Sequence, residues 1–225
     1  MFAPVTVASS KRALCSRCHR PVSACYCSGL DTCAAPFRIV ILRPGKEKKH
    51  ALNTGGIVDL AVSNCEILEG EDFSSNEALL KLLELYQGRC WLLYPGEQVD
   101  EPDVLSVRRA EQSPDSNEQL LIVLDATWKK SRKMLYLFPR LAELPRISLS
   151  EPMASRYRLR KVPGQGFLST VEAVVAVLEQ AGHSQNACRQ MLQAFESMIE
   201  HQIASMGAEV WQKNYQDRLP QEQEG

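Results

Sequence analysis

Asp125, Thr127 and Trp128 stand directly after five apolar residues, Leu120 to Leu124, and directly before a run dense in lysine and arginine. A carboxylate can take a proton, a hydroxyl can orient it or hold a ligand, and an indole offers a flat face to a ring. Lys129, Lys130, Arg132 and Lys133 follow at once, so the same turn can also meet phosphates. Together these groups suit action on a polyanion that carries a ring. A plainer reading stands beside this one. Asp125 or Thr127 caps the next helix, and Trp128 packs in the core.

A second chemical group lies near the start of the chain. Cys15, Cys18, Cys25 and Cys27 fall within thirteen residues, as Cys-x-x-Cys followed by Cys-x-Cys. Four soft thiolates in a tetrahedron are what zinc takes, and a short polar segment with no core of its own needs such a staple. Four protein ligands leave no open position, which implies scaffolding rather than metal catalysis. His19 is an alternative ligand and Cys33 a spare, and redox use of the thiols is the competing reading.

The elements that position these groups follow from periodicity. Leu120 to Leu124 reads as a strand buried on both faces. Beyond it, Trp128, Ser131, Met134, Leu135 and Phe138 share one helical face and the four cations the opposite one. Asp125 and Thr127 therefore sit at the carboxyl edge of a parallel sheet, where open α/β folds bind ligands. Residues 36–43 read as the first strand, and Asn53 or Thr54 as the cap of the helix after it. Residues 65–68 form a short strand, and Asn76 to Tyr86 a helix with Leu79, Leu80, Leu83 and Tyr86 inward. Another strand covers 89–94 and ends in Pro95-Gly96, where glycine allows close backbone approach to a ligand. Residues 97–119 read as an acidic surface excursion and 144–149 as a further strand. Arg156, Arg158, Arg160 and Lys161 flank Tyr157, a pattern that suits phosphate contact with base stacking. Ser169 and Glu172 form a capping box that opens an apolar helix, whose free N–H groups also suit a carboxylate. Residues 184–206 give a last amphipathic helix.

With 225 residues, 44% hydrophobic and 24% charged, the chain can bury one good core. Its net charge of −1 hides two basic blocks, with nine Lys and Arg against two acids in residues 11–50 and ten Lys and Arg in residues 126–165. That pattern suggests a local polyanion footprint. No apolar run reaches membrane length and no signal-peptide pattern opens the chain, so a cytosolic protein is expected. Cysteines there are not a disulfide framework. No P-loop and no Gly-x-Gly-x-x-Gly occurs, which argues against an ATP-driven or conventional dinucleotide enzyme.

Asp125-x-Thr127-Trp128 after an apolar strand, followed by Arg132-Lys133-Met134, resembles the signature of the DTW-domain family. The cysteine opening, Asn53-Thr54-Gly55, Leu92-Leu93-Tyr94-Pro95-Gly96, Tyr157-Arg158-Leu159-Arg160-Lys161 and Ser169-Thr170-x-Glu172-Ala173 match it in the same order. One element departs. Where the family shows a histidine after the first strand this chain has Arg43, and Glu47 is the nearest match to the family's glutamate.

The resemblance implies an α/β, SPOUT-like core with a mostly parallel sheet, knotted in its C-terminal part. It implies a tRNA-uridine aminocarboxypropyltransferase that uses S-adenosylmethionine as donor, with tRNA as partner, no membrane and no obligate protein partner. The expected catalytic residues are Asp125, as base, with Thr127 and Trp128. The expected donor contacts are Tyr94, Pro95, Gly96, Leu124, Leu149, Leu168, Ser169 and Thr170. RNA contacts fall on Lys129, Lys130, Arg132, Lys133, Arg156, Arg158, Arg160 and Lys161, and zinc on Cys15, Cys18, Cys25 and Cys27. The expected organisation is a cysteine module at 1–34, a catalytic domain at 35–210 and an acidic tail at 211–225. Rival readings are a SPOUT-type RNA methyltransferase, an rRNA aminocarboxypropyltransferase, and a zinc-containing RNA-binding protein without catalysis.

Overall fold

A computed structural model describes residues 13–45, 52–94, 119–147, 149, 155–159 and 168–215. Among these residues five strands form one parallel sheet: β1 (Arg38–Arg43), β2 (Cys65–Glu69), β3 (Cys90–Leu93), β4 (Leu120–Leu124) and β5 (Arg146–Ile147), in the order β2-β1-β4-β3-β5. Of the strand expected over 144–149, the part described as strand is Arg146–Ile147. β4 lies between β1 and β3, and it is buried throughout, as its uninterrupted apolar sequence requires.

Strand alternation divides the core in two. Ile39, Ile41, Leu121 and Val123 face one side, with α1 (Gly55–Ala61), α5 (Thr170–Gln180) and α6 (Gln185–Met206). Val40, Leu42, Leu120, Ile122 and Leu124 face the other, with α2 (Glu77–Leu85) and α3 (Trp128–Leu137), which continues into a short α4 (Pro139–Ala142). Each face is closed by amphipathic helices whose buried positions recur at helical spacing. In α6 these are Cys188, Met191, Phe195, Met198 and Ile199. In α2 the inward residues are Leu79, Leu82 and Leu83, with Tyr86 just beyond, while Leu80 is only half-buried.

The caps are local and specific. Asn53 Oδ1 accepts from Gly56 N (3.2 Å), and Thr54 makes no side-chain cap bond, so the asparagine is the working cap of α1. Asn76 caps α2 and Ser184 caps α6. At α5 the Ser169–Glu172 capping box is complete.

The cysteine segment is packed on the body. Tyr26 and Leu30 are buried within the first core cluster, and Cys33 bridges to Val62 beside α1. At the other end, α7 (Ala208–Asn214) brings Trp211, followed by Tyr215, against the same cluster. No helix among the described residues is long and apolar enough to cross a membrane.

Candidate active site

The register of β1 against β4 pairs Leu42 with Leu124, so one step further along both strands brings Arg43 beside Asp125. Asp125 N donates to Leu42 O (2.9 Å), which carries the pairing to the strand ends. There Arg43 Nε lies 3.2 Å from Asp125 Oδ2, with both side chains almost wholly buried. Thr170 Oγ1, from the first turn of α5, donates to Asp125 Oδ1 (2.7 Å). Both carboxylate oxygens are thus held, one from the neighbouring strand and one from a helix on the far side of the sequence.

Two details show how tightly this corner is built. A Cβ on Gly55, at the start of α1, would lie 2.6 Å from Asp125 Oδ2. Glycine there is required by close approach. Arg43 also reaches Glu69 (Nη1 to Oε1, 3.8 Å), yet its Nη2 is buried with no hydrogen-bond partner among the described residues. A buried N–H without an acceptor costs stability, so this atom marks a place for one.

An aromatic wall flanks the carboxylate. Tyr94, just beyond β3, and Trp128, at the start of α3, have ring centroids 5.6 Å apart at 55°. Arg146 of β5 lies over the Tyr94 ring at 5.4 Å, a cation–π contact. Burial pushes the Tyr94 hydroxyl's pKa up, opposed by the nearby charges of Arg132 and Arg146. Trp128 is half-buried, between the core and edge positions that its helical face and its place at the strand end suggest.

Ser169 spends its N–H and hydroxyl on Glu172 Oε2 (2.8 and 2.6 Å). Glu172 is buried and does more than cap. It also accepts from Arg156 N (2.6 Å) and Ser155 Oγ (2.9 Å), fastening residues 155–156 to the start of α5. Thr127 is exposed and makes no side-chain cap bond; Leu124 is buried, and Leu149 and Leu168 are half-buried. Pro95, Gly96, Arg160 and Lys161 lie outside the described residues.

The two basic segments differ in kind. Arg156 Nη1 pairs with Glu196 Oε1 (2.5 Å) and Arg158 with Glu200, both on α6. Tyr157 between them is buried, edge-on to Phe195 at 5.3 Å, with its hydroxyl donating to Leu52 O. Its ring is core and offers no free face for a base. On α3, by contrast, Lys129, Arg132 and Lys133 are exposed and Lys130 is half-buried.

Cys15, Cys18, Cys25 and Cys27 bring their sulfurs within 4.8 Å of one another, a group that could hold a metal ion. The Cys15–Cys27 and Cys18–Cys25 separations are 3.9 and 3.8 Å. Tetrahedral zinc with bonds of about 2.3 Å has edges of about 3.8 Å. Backbone N–H groups of Cys18 and Arg17 draw the Cys15 pKa down to about 6. Burial, together with the neighbouring thiols, pushes Cys27 up to about 12. Four adjoining sulfurs cannot all ionise without a cation among them. His19 is exposed and stands outside the group; Cys33 lies instead 3.4 Å from His183 Nε2.

The DTW domain family matches residues 12–203. A Drosophila melanogaster protein named tRNA-uridine aminocarboxypropyltransferase 2 is 29% identical over 178 residues, covering 76% of this chain and 68% of the relative. A Macaca fascicularis protein of the same name is 26% identical over 204 residues, covering 86% of this chain and 66% of the relative. The tRNA-uridine aminocarboxypropyltransferase A of Arabidopsis thaliana is 24% identical over 247 residues, covering 96% and 93%. This chain thus spans about two thirds of the animal relatives and nearly all of the plant one. No solved structure matches it.

Proposed function

The chain belongs to the DTW domain family, and on that premise we propose that it transfers the 3-amino-3-carboxypropyl group of S-adenosylmethionine to N3 of a uridine in tRNA. The products are 3-(3-amino-3-carboxypropyl)uridine and methylthioadenosine. The observation that carries the reading is the junction of Asp125, Arg43 and Thr170 at the carboxyl ends of β1 and β4, beside the Tyr94–Trp128 wall. A SPOUT-like, knotted core is part of the proposal, supported by the parallel sheet with β4 inserted between β1 and β3.

The residues suit such a donor. Arg43 Nη2 is a buried N–H in want of an acceptor, and the amino-acid part of the donor ends in a carboxylate. When bound, the donor supplies a sulfonium-activated carbon, whose bond to sulfur breaks as the bond to N3 forms. Asp125 is the group that takes the N3 proton, held in orientation by Arg43 and Thr170. Tyr94 and Trp128 form the surface against which a ring is placed, and Arg146 and Arg132 add positive charge there. Lys129, Arg132 and Lys133 hold phosphates, which positions the RNA without choosing the base. The sulfurs of Cys15, Cys18, Cys25 and Cys27 would hold a structural zinc, tying the N-terminal segment together. A cytosolic setting is part of the same reading. Residues 35–210 are the catalytic part in this reading.

The test is release of methylthioadenosine when the protein meets S-adenosylmethionine and unmodified tRNA. Wild type releases it in proportion to tRNA, and Asp125→Ala lowers the rate by about 10²–10⁴-fold, the usual share of a general base. Undiminished release by Asp125→Ala would remove the proton-acceptor role. Release of S-adenosylhomocysteine in its place would make the protein a methyltransferase.

A further inference from the structure

Among the described residues five large hydrophobic side chains are exposed, and Tyr136 on α3 is the most exposed of them at 83%. Helical spacing puts Lys129, Arg132, Lys133 and Tyr136 within an arc of about 100° on one side of α3. Lys129, Arg132, Lys133 and Tyr136 are all exposed, and α3 contains no acidic residue. No ion pair within the described residues engages these three cations, in contrast to Arg156 and Arg158, whose charges are met by Glu196 and Glu200. Lys129, Arg132 and Lys133 beside Tyr136 thus keep their charges for something else, which Arg156 and Arg158 do not.

Position links this stripe to the candidate active site. α3 begins at Trp128, one of the two rings of the aromatic wall, and Arg132 bears electrostatically on Tyr94, the other. Tyr136 lies eight residues beyond Trp128, about 12 Å along the helix axis at 1.5 Å per residue. A strand whose uridine sits at Asp125 would pass its phosphates along Lys129, Arg132 and Lys133 and reach Tyr136 with a neighbouring nucleotide. A ring set among cations, with both faces accessible, suits an unpaired base.

We propose that Tyr136 is a stacking platform for an unpaired base of the tRNA, close in sequence to the uridine that is modified. This rests on the tRNA reading above and adds a contact that holds the substrate strand open beside the site. Stacking carries little sequence preference, so Tyr136 gives affinity and register rather than choice of base.

The experiment measures binding of an unmodified tRNA transcript to the full-length protein across a series of salt concentrations. Tyr136→Ala weakens binding by about tenfold, within the range for loss of one stacked base. Its dependence on salt stays that of wild type, because a neutral ring releases no counterion. Tyr136→Phe binds as wild type, whereas Lys133→Ala lowers the salt slope by about one phosphate contact. Wild-type affinity in Tyr136→Ala, or equal loss in Tyr136→Phe, would overturn the proposal. So would concentration-dependent self-association that Tyr136→Ala abolishes while tRNA affinity is unchanged, since the ring would then be a protein contact. Methylthioadenosine release by wild type is read separately, so failure of the transferase reading is not confused with failure of the stacking one.

Discussion

Arg43 and Asp125, 82 residues apart in sequence, form a buried ion pair, Nε to Oδ2 at 3.2 Å, at the ends of adjacent strands. Neither charge is tolerable there alone. Arg43→Met should therefore destabilise the protein by about 3–5 kcal/mol, the cost of an uncompensated buried charge. The double variant Arg43→Met/Asp125→Leu should recover much of that loss. Urea unfolding of the four species checks this; strictly additive losses would mean that the two groups do not sense each other.

Gly55 tests the same corner from the helix side. Gly55→Ala places a methyl group 2.6 Å from Asp125 Oδ2, so the carboxylate has to turn away from Thr170 or Arg43. Overpacking of this kind costs about 1–3 kcal/mol. Transfer activity should fall far more than the loss of stability explains, as shown by comparing initial rates with unfolding at one temperature. Activity close to wild type would mean that the observed Asp125 orientation is not the working one.

Glu172 makes a prediction about order. Its carboxylate joins the N-terminus of α5 to Arg156 N and Ser155 Oγ. Glu172→Ala should raise amide exchange at 155–157 as well as in the first turn of α5, whereas Ser169→Ala should cost about 1 kcal/mol as an ordinary cap. Exchange confined to α5 would show that the contact with the loop carries no weight.

The cysteine group predicts a direction with pH. Binding a cation requires thiolates, so protons compete with the metal. Cys27, raised to about 12, must give up a proton that it would otherwise keep, and Cys15, lowered to about 6, regains one below that pH. Affinity should therefore rise from acid to neutral pH, with zinc lost on acidification. Metal analysis after dialysis across that range checks it. Protein purified without chelators and containing no zinc would contradict the assignment.

These relationships were unequally legible in the sequence. β4, the helix after it and the capping box are written in local pattern, and so is the cysteine spacing. Arg43 is the instructive case. By resemblance it marks only a missing histidine, because its partner is set by the β1–β4 register, which no local pattern encodes. The second task of Glu172 was hidden for the same reason: a capping box explains it fully until the loop at 155–156 is folded back. Tyr157 misled in the other direction. Alternation with arginine suggests a base-stacking strand, but α6 supplies Phe195 for the ring and glutamates for the charges. Tyr136 gave no signal of its own, since in sequence it is one aromatic residue near the end of an amphipathic helix.

The most direct test of the central claim uses two donors with unmodified tRNA, one labelled in the methyl group and one in the carboxyl group of S-adenosylmethionine. The account predicts carboxyl label in the tRNA and no methyl label. Methyl label in the tRNA, or neither label with tRNA demonstrably bound, would contradict it.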